Sequence, residues 1–297
     1  MTEDPQVISQ ELIERILDTK GIIMIIGQSD TGKTYLAKYL LKKSVEKGIV
    51  TGFVDSDIGQ STIGPPATIG MKIIKNRFPE NIEKTKPQYM RFVGSTSPVG
   101  HLLQTLTGVK KMVDQASKSK TELIVVDTTG LVKGGIGREL KYNKIELISP
   151  NYLIALEKKK ELEHIIKLFK YKKNLMMYRT KPSEKVEIKN NKNREKNREN
   201  KFKSYFKNSN TKYLGLNSYG VHGNTIRMEK NKLKNILIAL CDSSQNVVDL
   251  GIIKKYFKRE NKLKVYTPLK SLKKVRSIQF GSIAISTEGK QSESGPG

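Results

Sequence analysis

Residues 27–34 read Gly-Gln-Ser-Asp-Thr-Gly-Lys-Thr, a GxxxxGK[ST] segment that directly follows the apolar run at 22–26 and opens the amphipathic stretch at 33–46. This spacing demands a strand, a tight glycine loop and a helix in that order, because only then do backbone amides converge on a phosphate chain while the helix points its positive end at the same anion. Gly27, Gln28, Ser29, Asp30, Thr31, Gly32, Lys33, Thr34 and Tyr35 are the expected nucleotide-binding residues. Lys33 is expected at the β and γ phosphates, and the Thr34 hydroxyl at magnesium.

The rest of the first two hundred residues continues this alternation. Val7, Ile8, Leu12, Ile13, Ile16 and Leu17 recur at three- and four-residue steps, predicting a helix over 6–18. Short apolar runs at 49–54, 90–93, 123–126 and 152–156 predict strands, with helical stretches at 102–116 and 162–169. Strands apolar on both faces and separated by helices predict an α/β fold with a mostly parallel sheet covered by helices. After Lys207 the texture becomes β-rich, with runs at 235–241, 247–253, 264–267, 275–278 and 282–285, the last two separated by Gly281. The expected organisation is a P-loop domain over 1–207, a small β-rich C-terminal domain over 208–287, and a disordered Gly/Ser/Glu-rich tail over 288–297.

A P-loop alone does not choose between hydrolysis and transfer, so the chemistry is sought in polar groups at the other strand ends. Asp55 and Asp57 close the second strand, and their two-residue spacing would let both carboxylates approach the metal and an incoming nucleophile. Asp127 ends a later strand and is expected beside the metal; each aspartate could instead serve a cap or turn. Ser97 would either cap the helix at 102–116 or receive an anion there. Residues 189–201 contain no apolar side chain, yet Arg194 and Arg198 stand four apart and Phe202, Tyr205 and Phe206 follow. A helix here would put both guanidiniums on one side and anchor its aromatic end; the alternative is a solvated linker.

Lys and Arg number 55 against 29 Asp and Glu, a net charge of +26, which points to a polyanionic partner such as nucleic acid. The lysine excess, with abundant Asn, Ile and Tyr, is also what drift in an AT-rich genome would produce. The single Cys241 permits no intrachain disulfide and no multi-cysteine zinc site, and His101, His164 and His222 form no local ligand pair. The acidic start Met-Thr-Glu-Asp-Pro and the absence of any apolar run near membrane length predict a cytoplasmic, reducing setting with no membrane association.

GQSDTGKT, VDSDIGQSTIGPP, FVGSTSPVGH, VDTTGLVKG and KIELISPNYLIALE, in this order and spacing, resemble the polynucleotide 5′-hydroxyl kinases, which include the messenger-RNA cleavage-factor kinase and the pre-ribosomal-RNA processing kinase. The resemblance implies transfer of the γ-phosphate of ATP, with Mg2+, to the 5′-hydroxyl end of RNA or DNA. It implies that Lys33 and Thr34 hold ATP and magnesium, that Asp57 deprotonates the attacking hydroxyl and helps position the metal, and that Gln60 lies beside it. Thr128 and Gly130 would belong to a clasp on the acceptor, with Thr129 between them and Ser97 as further expected acceptor contacts, and Arg194 and Arg198 would belong to a lid over about 183–206. Two departures stand out: Leu131 occupies the place of a base-stacking tryptophan in eukaryotic members, and only about 20 residues precede the first strand, as in the compact archaeal type.

Two other readings compete. Asp127-Thr128-Thr129-Gly130 also resembles the DxxG switch of regulatory GTPases and insertion ATPases, although no Asn-Lys-x-Asp segment follows. A catalytically silent subunit that keeps ATP only to order its fold would carry the same residues. The sequence names no protein partner.

Overall fold

The computed structural model describes residues 8–183, 186, 190–223 and 233–293. Six helices and fourteen strands are found among them. The first sheet contains β1 (Gly21–Gly27), β2 (Thr51–Ser56), β3 (Thr68–Ile74), β4 (Tyr89–Phe92), β5 (Leu123–Thr128), β6 (Tyr152–Leu156) and β7 (Met176–Thr180), in the order β4-β3-β2-β5-β1-β6-β7. Strands β2, β5, β1, β6 and β7 are mutually parallel, whereas β3 pairs antiparallel with both β2 and β4. Their apolar residues bury on both faces, as a sheet covered by helices requires. One face packs α1 (Gln10–Thr19) and α2 (Lys33–Glu46), with Ile16, Leu36 and Leu40 against Ile23, Phe53 and Val125. The other packs α3 (Leu102–Lys118), α4 (Gly134–Ile148) and the short α5 (Glu163–Ile166), with Val109, Ile145 and Ile165 against Met24, Val54 and Val126.

The order β2-β5-β1 fixes where chemistry sits. These neighbours are parallel, so their carboxyl ends, carrying Asp55, Asp127 and Gly27, emerge side by side; Asp55 is directly opposite Asp127 and Ser56 opposite Thr128. This is the crevice at strand ends where open α/β sheets bind ligands.

After β7 the chain forms α6 (Asn191–Phe206) and then a second sheet of β8 (Asn210–Gly215), β9 (Gly220–His222), β10 (Ile236–Cys241), β11 (Val247–Phe257), β12 (Lys262–Thr267), β13 (Ser277–Ile285) and β14 (Gln291–Glu293). The two sheets share a core: Ala67 and Phe92 from the first and Leu237, Leu250 and Ile283 from the second enclose Phe202 and Phe206 of α6. Cys241 lies buried in that core, which pushes its thiol up to about 12.

Several expectations need correction. The runs at 275–278 and 282–285 are one strand through Gly281, whose missing Cβ would stand 2.9 Å from the Gly94 and Leu237 carbonyl oxygens. Gly281 is therefore a close backbone approach and not a break. Part of the tail expected to be disordered is ordered, since β14 pairs antiparallel with β13; residues 294–297 lie outside the described residues. The helix read over 162–169 is a four-residue α-helix continued by a 3-10 turn. Among the described residues, no helix is long and apolar enough to cross a membrane.

Candidate active site at three parallel strand tips

Gly32, at φ 84°, turns the P-loop into α2 without a Cβ penalty, and Lys33 follows as the first residue of that helix. The Lys33 ammonium is buried and donates to the Gln28 carbonyl at 2.5 Å, so it lies across its own loop. Desolvation lowers its pKa, opposed by the charges of Asp127, Asp57 and Asp30. Thr31 closes the loop through its hydroxyl on the Gln28 carbonyl at 2.9 Å. Tyr35 stands exposed on the first turn of α2.

Thr34 donates its hydroxyl to Asp127 Oδ2 at 2.5 Å, tying the P-loop helix to the tip of β5. The other oxygen, Asp127 Oδ1, is buried without a hydrogen-bond partner. A buried carboxylate oxygen with nothing to accept is costly, and burial raises the Asp127 pKa. A hydroxyl and an orphaned carboxylate oxygen beside a phosphate cradle fit Mg2+, which binds through one or two carboxylates plus substrate phosphates and waters. No group of three or more His, Cys, Asp or Glu side chains that could hold a metal ion occurs among the described residues.

Asp55, on β2, and Asp57, just past its end, part company, although their spacing would let both approach the metal. Asp55 is fully buried and turned into the following loop: its Oδ2 accepts from Ser61 Oγ at 2.9 Å, Thr62 N at 2.5 Å and Ile63 N at 2.9 Å. Burial, reinforced by Asp127, raises its pKa to about 7. Asp55 is thus an anchor of the 61–63 return. Asp57, just past the strand, is half-buried; its Oδ1 accepts from Gly59 N at 3.0 Å and Gln60 N at 2.9 Å. Those bonds fix the carboxylate and leave Oδ2 without a hydrogen-bond partner among the described residues. A Cβ on Gly59 would stand 2.9 Å from the Thr96 carbonyl, so the 94–100 loop borders Asp57.

Ser97 is exposed in that loop and does not cap α3. A turn closed by His101 N on the Pro98 carbonyl at 2.8 Å separates it from the helix, whose N-cap is His101, and Ser97 Oγ accepts from Val99 N instead. Thr128 is fully buried; its hydroxyl donates to the Ile25 carbonyl at 2.7 Å and accepts from Lys141. Thr129 lies at the edge of burial, and Gly130 abuts the P-loop, where a Cβ would stand 2.4 Å from Ser29 N.

Helix α6 lies over the site. Arg194 donates to Asp30 Oδ2 at 2.5 Å, and Arg198 keeps a buried Nε without a partner. The Gln60 amide donates to the Arg194 carbonyl at 3.0 Å and accepts from Asn197 at 2.8 Å, so Gln60 carries the helix. Lys201 donates to the Ser61 carbonyl. Asn190 caps the helix through Asn193 N at 2.8 Å, and its far end is held by Phe202, Phe206 and the Tyr205 hydroxyl on Asp249 at 2.5 Å. Residues 184–185 and 187–189 of the expected lid lie outside the described residues.

Sequence reading missed Lys141 and Lys144, both fully buried on α4 behind the strand tips. The sequence reading assigned no helix to this stretch and met Lys144 only as the first residue of the run KIELISPNYLIALE.

The family model described as mRNA cleavage and polyadenylation factor CLP1 P-loop matches residues 27–208. A polyribonucleotide 5′-hydroxyl-kinase of Methanocaldococcus jannaschii is 30% identical over 91% of this chain and 88% of its own. One of Pyrococcus abyssi is 30% identical over 91% of this chain and 89% of its own. Among solved structures, wild-type Clp1p in a complex with Pcf11p superposes with a TM-score of 0.72 at 15% identity, covering 92% of this chain and 77% of that one, a likeness of fold. With the P-loop, the Asp127 tip and the overlying helix all inside the matched span, this chain belongs to the CLP1 P-loop family.

Proposed function

We propose that this chain is an ATP- and Mg2+-dependent polyribonucleotide 5′-hydroxyl kinase. The observation that supports the reading best is the bond from Thr34 at the start of the P-loop helix to Asp127, whose other oxygen is buried without a partner, with Arg194 of the overlying helix bound to Asp30 of the same loop. Lys33 and the loop amides hold the β and γ phosphates. Thr34 and Asp127 are the residues that hold Mg2+, which when bound neutralises charge on the phosphates. Asp57, its Oδ1 fixed by two amides, presents Oδ2 as the base that takes the proton of the attacking 5′-hydroxyl. The hydroxyl oxygen then bonds to the γ-phosphorus as the bond to the β–γ bridging oxygen breaks and ADP leaves. Arg194 and Arg198 close over the transferring group from α6. The acceptor is the polyribonucleotide named for the archaeal relatives, and the charge of +26 supplies an attractive field for its backbone.

The test mixes the protein with γ-labelled ATP and a 5′-hydroxyl oligoribonucleotide, with Lys33→Ala and Asp57→Ala as controls. Label on the oligonucleotide, lost in both variants, is the expected result. Free labelled phosphate without transfer would make the chain a hydrolase, and neither product would make it a silent nucleotide-bound subunit.

A further inference from the structure

Helix α4 carries Lys141 and Lys144, three residues apart and so on one face, and both side chains are fully buried. Their hydrogen-bond partners are neutral oxygens. Lys141 Nζ donates to Thr128 Oγ1 at 3.0 Å and to the Thr129 carbonyl at 2.6 Å; Lys144 Nζ donates to Ser56 Oγ at 3.0 Å. Each acceptor passes the connection on. Thr128 Oγ1 donates to the Ile25 carbonyl of β1 at 2.7 Å, and Ser56 Oγ donates to the Asp127 carbonyl of β5 at 2.6 Å. One turn of α4 therefore ties together the ends of β1, β2 and β5, the three strands that lead into the P-loop, Asp57 and Asp127.

Stability does not account for this arrangement. Burying an ammonium costs several kcal/mol, offset here in part by the charges of Asp57, Asp127 and, for Lys144, Asp55, whereas an apolar face of α4 would carry no such cost. The remainder of the inward face of α4 is apolar, with Leu140, Ile145 and Ile148, so the packing alone had an apolar solution available. What an apolar residue could not do is hold Thr128, Thr129 and Ser56 by directed bonds from behind, on the side opposite the nucleotide.

We propose that Lys141 and Lys144 are positioning residues for phosphoryl transfer, internal brackets that set the Thr128–Gly130 turn and the Asp57-bearing strand end relative to the P-loop. The proposal rests on the kinase reading above. It assigns them no contact with ATP or acceptor; they act through Thr128, Thr129 and Ser56.

The test uses the full chain with Lys141→Met, Lys144→Met, Ser56→Ala, Thr128→Val and the double variant Lys141→Met/Thr128→Val. Thermal melting, ATP affinity by calorimetry, and kcat and KM for a 5′-hydroxyl oligoribonucleotide are measured for each. Lys141→Met is expected to keep its ATP affinity within about twofold while kcat falls by about 10²-fold, the scale of a misplacement near 1 Å and out of proportion to any change in melting temperature. The double variant should be no slower than its slower parent, because both changes remove the same link. If Lys141→Met unfolds the chain, Ser56→Ala and Thr128→Val, which remove the acceptors and leave the lysines, carry the same expectation. Losses of kcat that track losses of melting temperature, an additive double variant, or full activity in stable variants would each overturn the brackets. A wild-type chain that binds ATP and transfers nothing would instead overturn the kinase reading and the proposal with it.

Discussion

The contact between Gly130 and the P-loop gives a perturbation whose size follows from distances. A Cβ at Gly130 would stand 2.3 Å from Ser29 Oγ, 2.4 Å from Ser29 N and 2.7 Å from Ser29 Cα, whereas ordinary contact begins at 3.4 Å. The hydroxyl can rotate away, but the amide and Cα are backbone, so 3.4 − 2.4 leaves 1.0 Å to be opened between the β5 turn and the phosphate loop. Gly130 has no positive φ, so alanine there is strained by space alone and not by conformation. Overpacking of this kind costs about 1–3 kcal/mol. Because the displaced atoms belong to the cradle, the cost should fall on ATP binding: Gly130→Ala is expected to weaken it by roughly 5- to 150-fold. Gly135→Ala, five residues beyond the turn with nothing within 4 Å of its Cβ, is the control and should leave ATP affinity unchanged. Calorimetric titration with ATP, accompanied by thermal melting, measures both. A Gly130→Ala protein that melts like wild type and binds ATP within about twofold would refute the argument that this turn sets the phosphate loop.

Arg194→Ala should lower kcat by about 10³-fold or more with a far smaller change in ATP affinity, because a closing guanidinium acts on charge developed in transfer; equal losses in both would make Arg194 only a binding group. Lys144 gives a pH signature: burial lowers its pKa to about 8 from 10.5, so between those values the unfolded chain holds a proton that the folded chain has released. Stability from this group therefore rises with pH across that window and is lost as pH falls through about 8. Denaturant unfolding of wild type and Lys144→Met on either side of the window should show the variant lacking about 3 kcal/mol of that rise, and parallel profiles would refute it. Oligoribonucleotide binding should weaken linearly on a log–log salt plot, by about 0.7 per phosphate contacted; a flat plot would return the +26 charge to compositional drift.

What the sequence made legible was local. The P-loop, the helix at Lys33–Glu46 and the Asp127 strand end follow from glycine spacing and short-range periodicity, and they appear where that reasoning placed them. The antiparallel edge was not legible, because Thr68–Ile74 contains Gly70 and becomes a strand through pairing with β2 and β4. Helix α4 was obscured for a more instructive reason. Its inward face contains Lys141 and Lys144, so its apolar pattern is interrupted at the positions that reach behind the strand tips. Asp55 and Asp57 posed the same difficulty in miniature. Their spacing says that both emerge together at one strand end, but the chain's return at Ser61–Ile63 claims the first, and the amides of Gly59 and Gln60 hold the second. Thr128 reads as a surface clasp residue until Lys141 and Ile25, 13 and 103 positions away, take up its hydroxyl. In each case the residue type was visible and its role was decided by a distant polar partner. A site composed of strand tips is therefore readable in its phosphate-binding loop, which is contiguous, and unreadable in the groups that hold the tips together, which are joined across up to a hundred residues. Those joining groups are the ones whose removal should change transfer while leaving ATP binding intact.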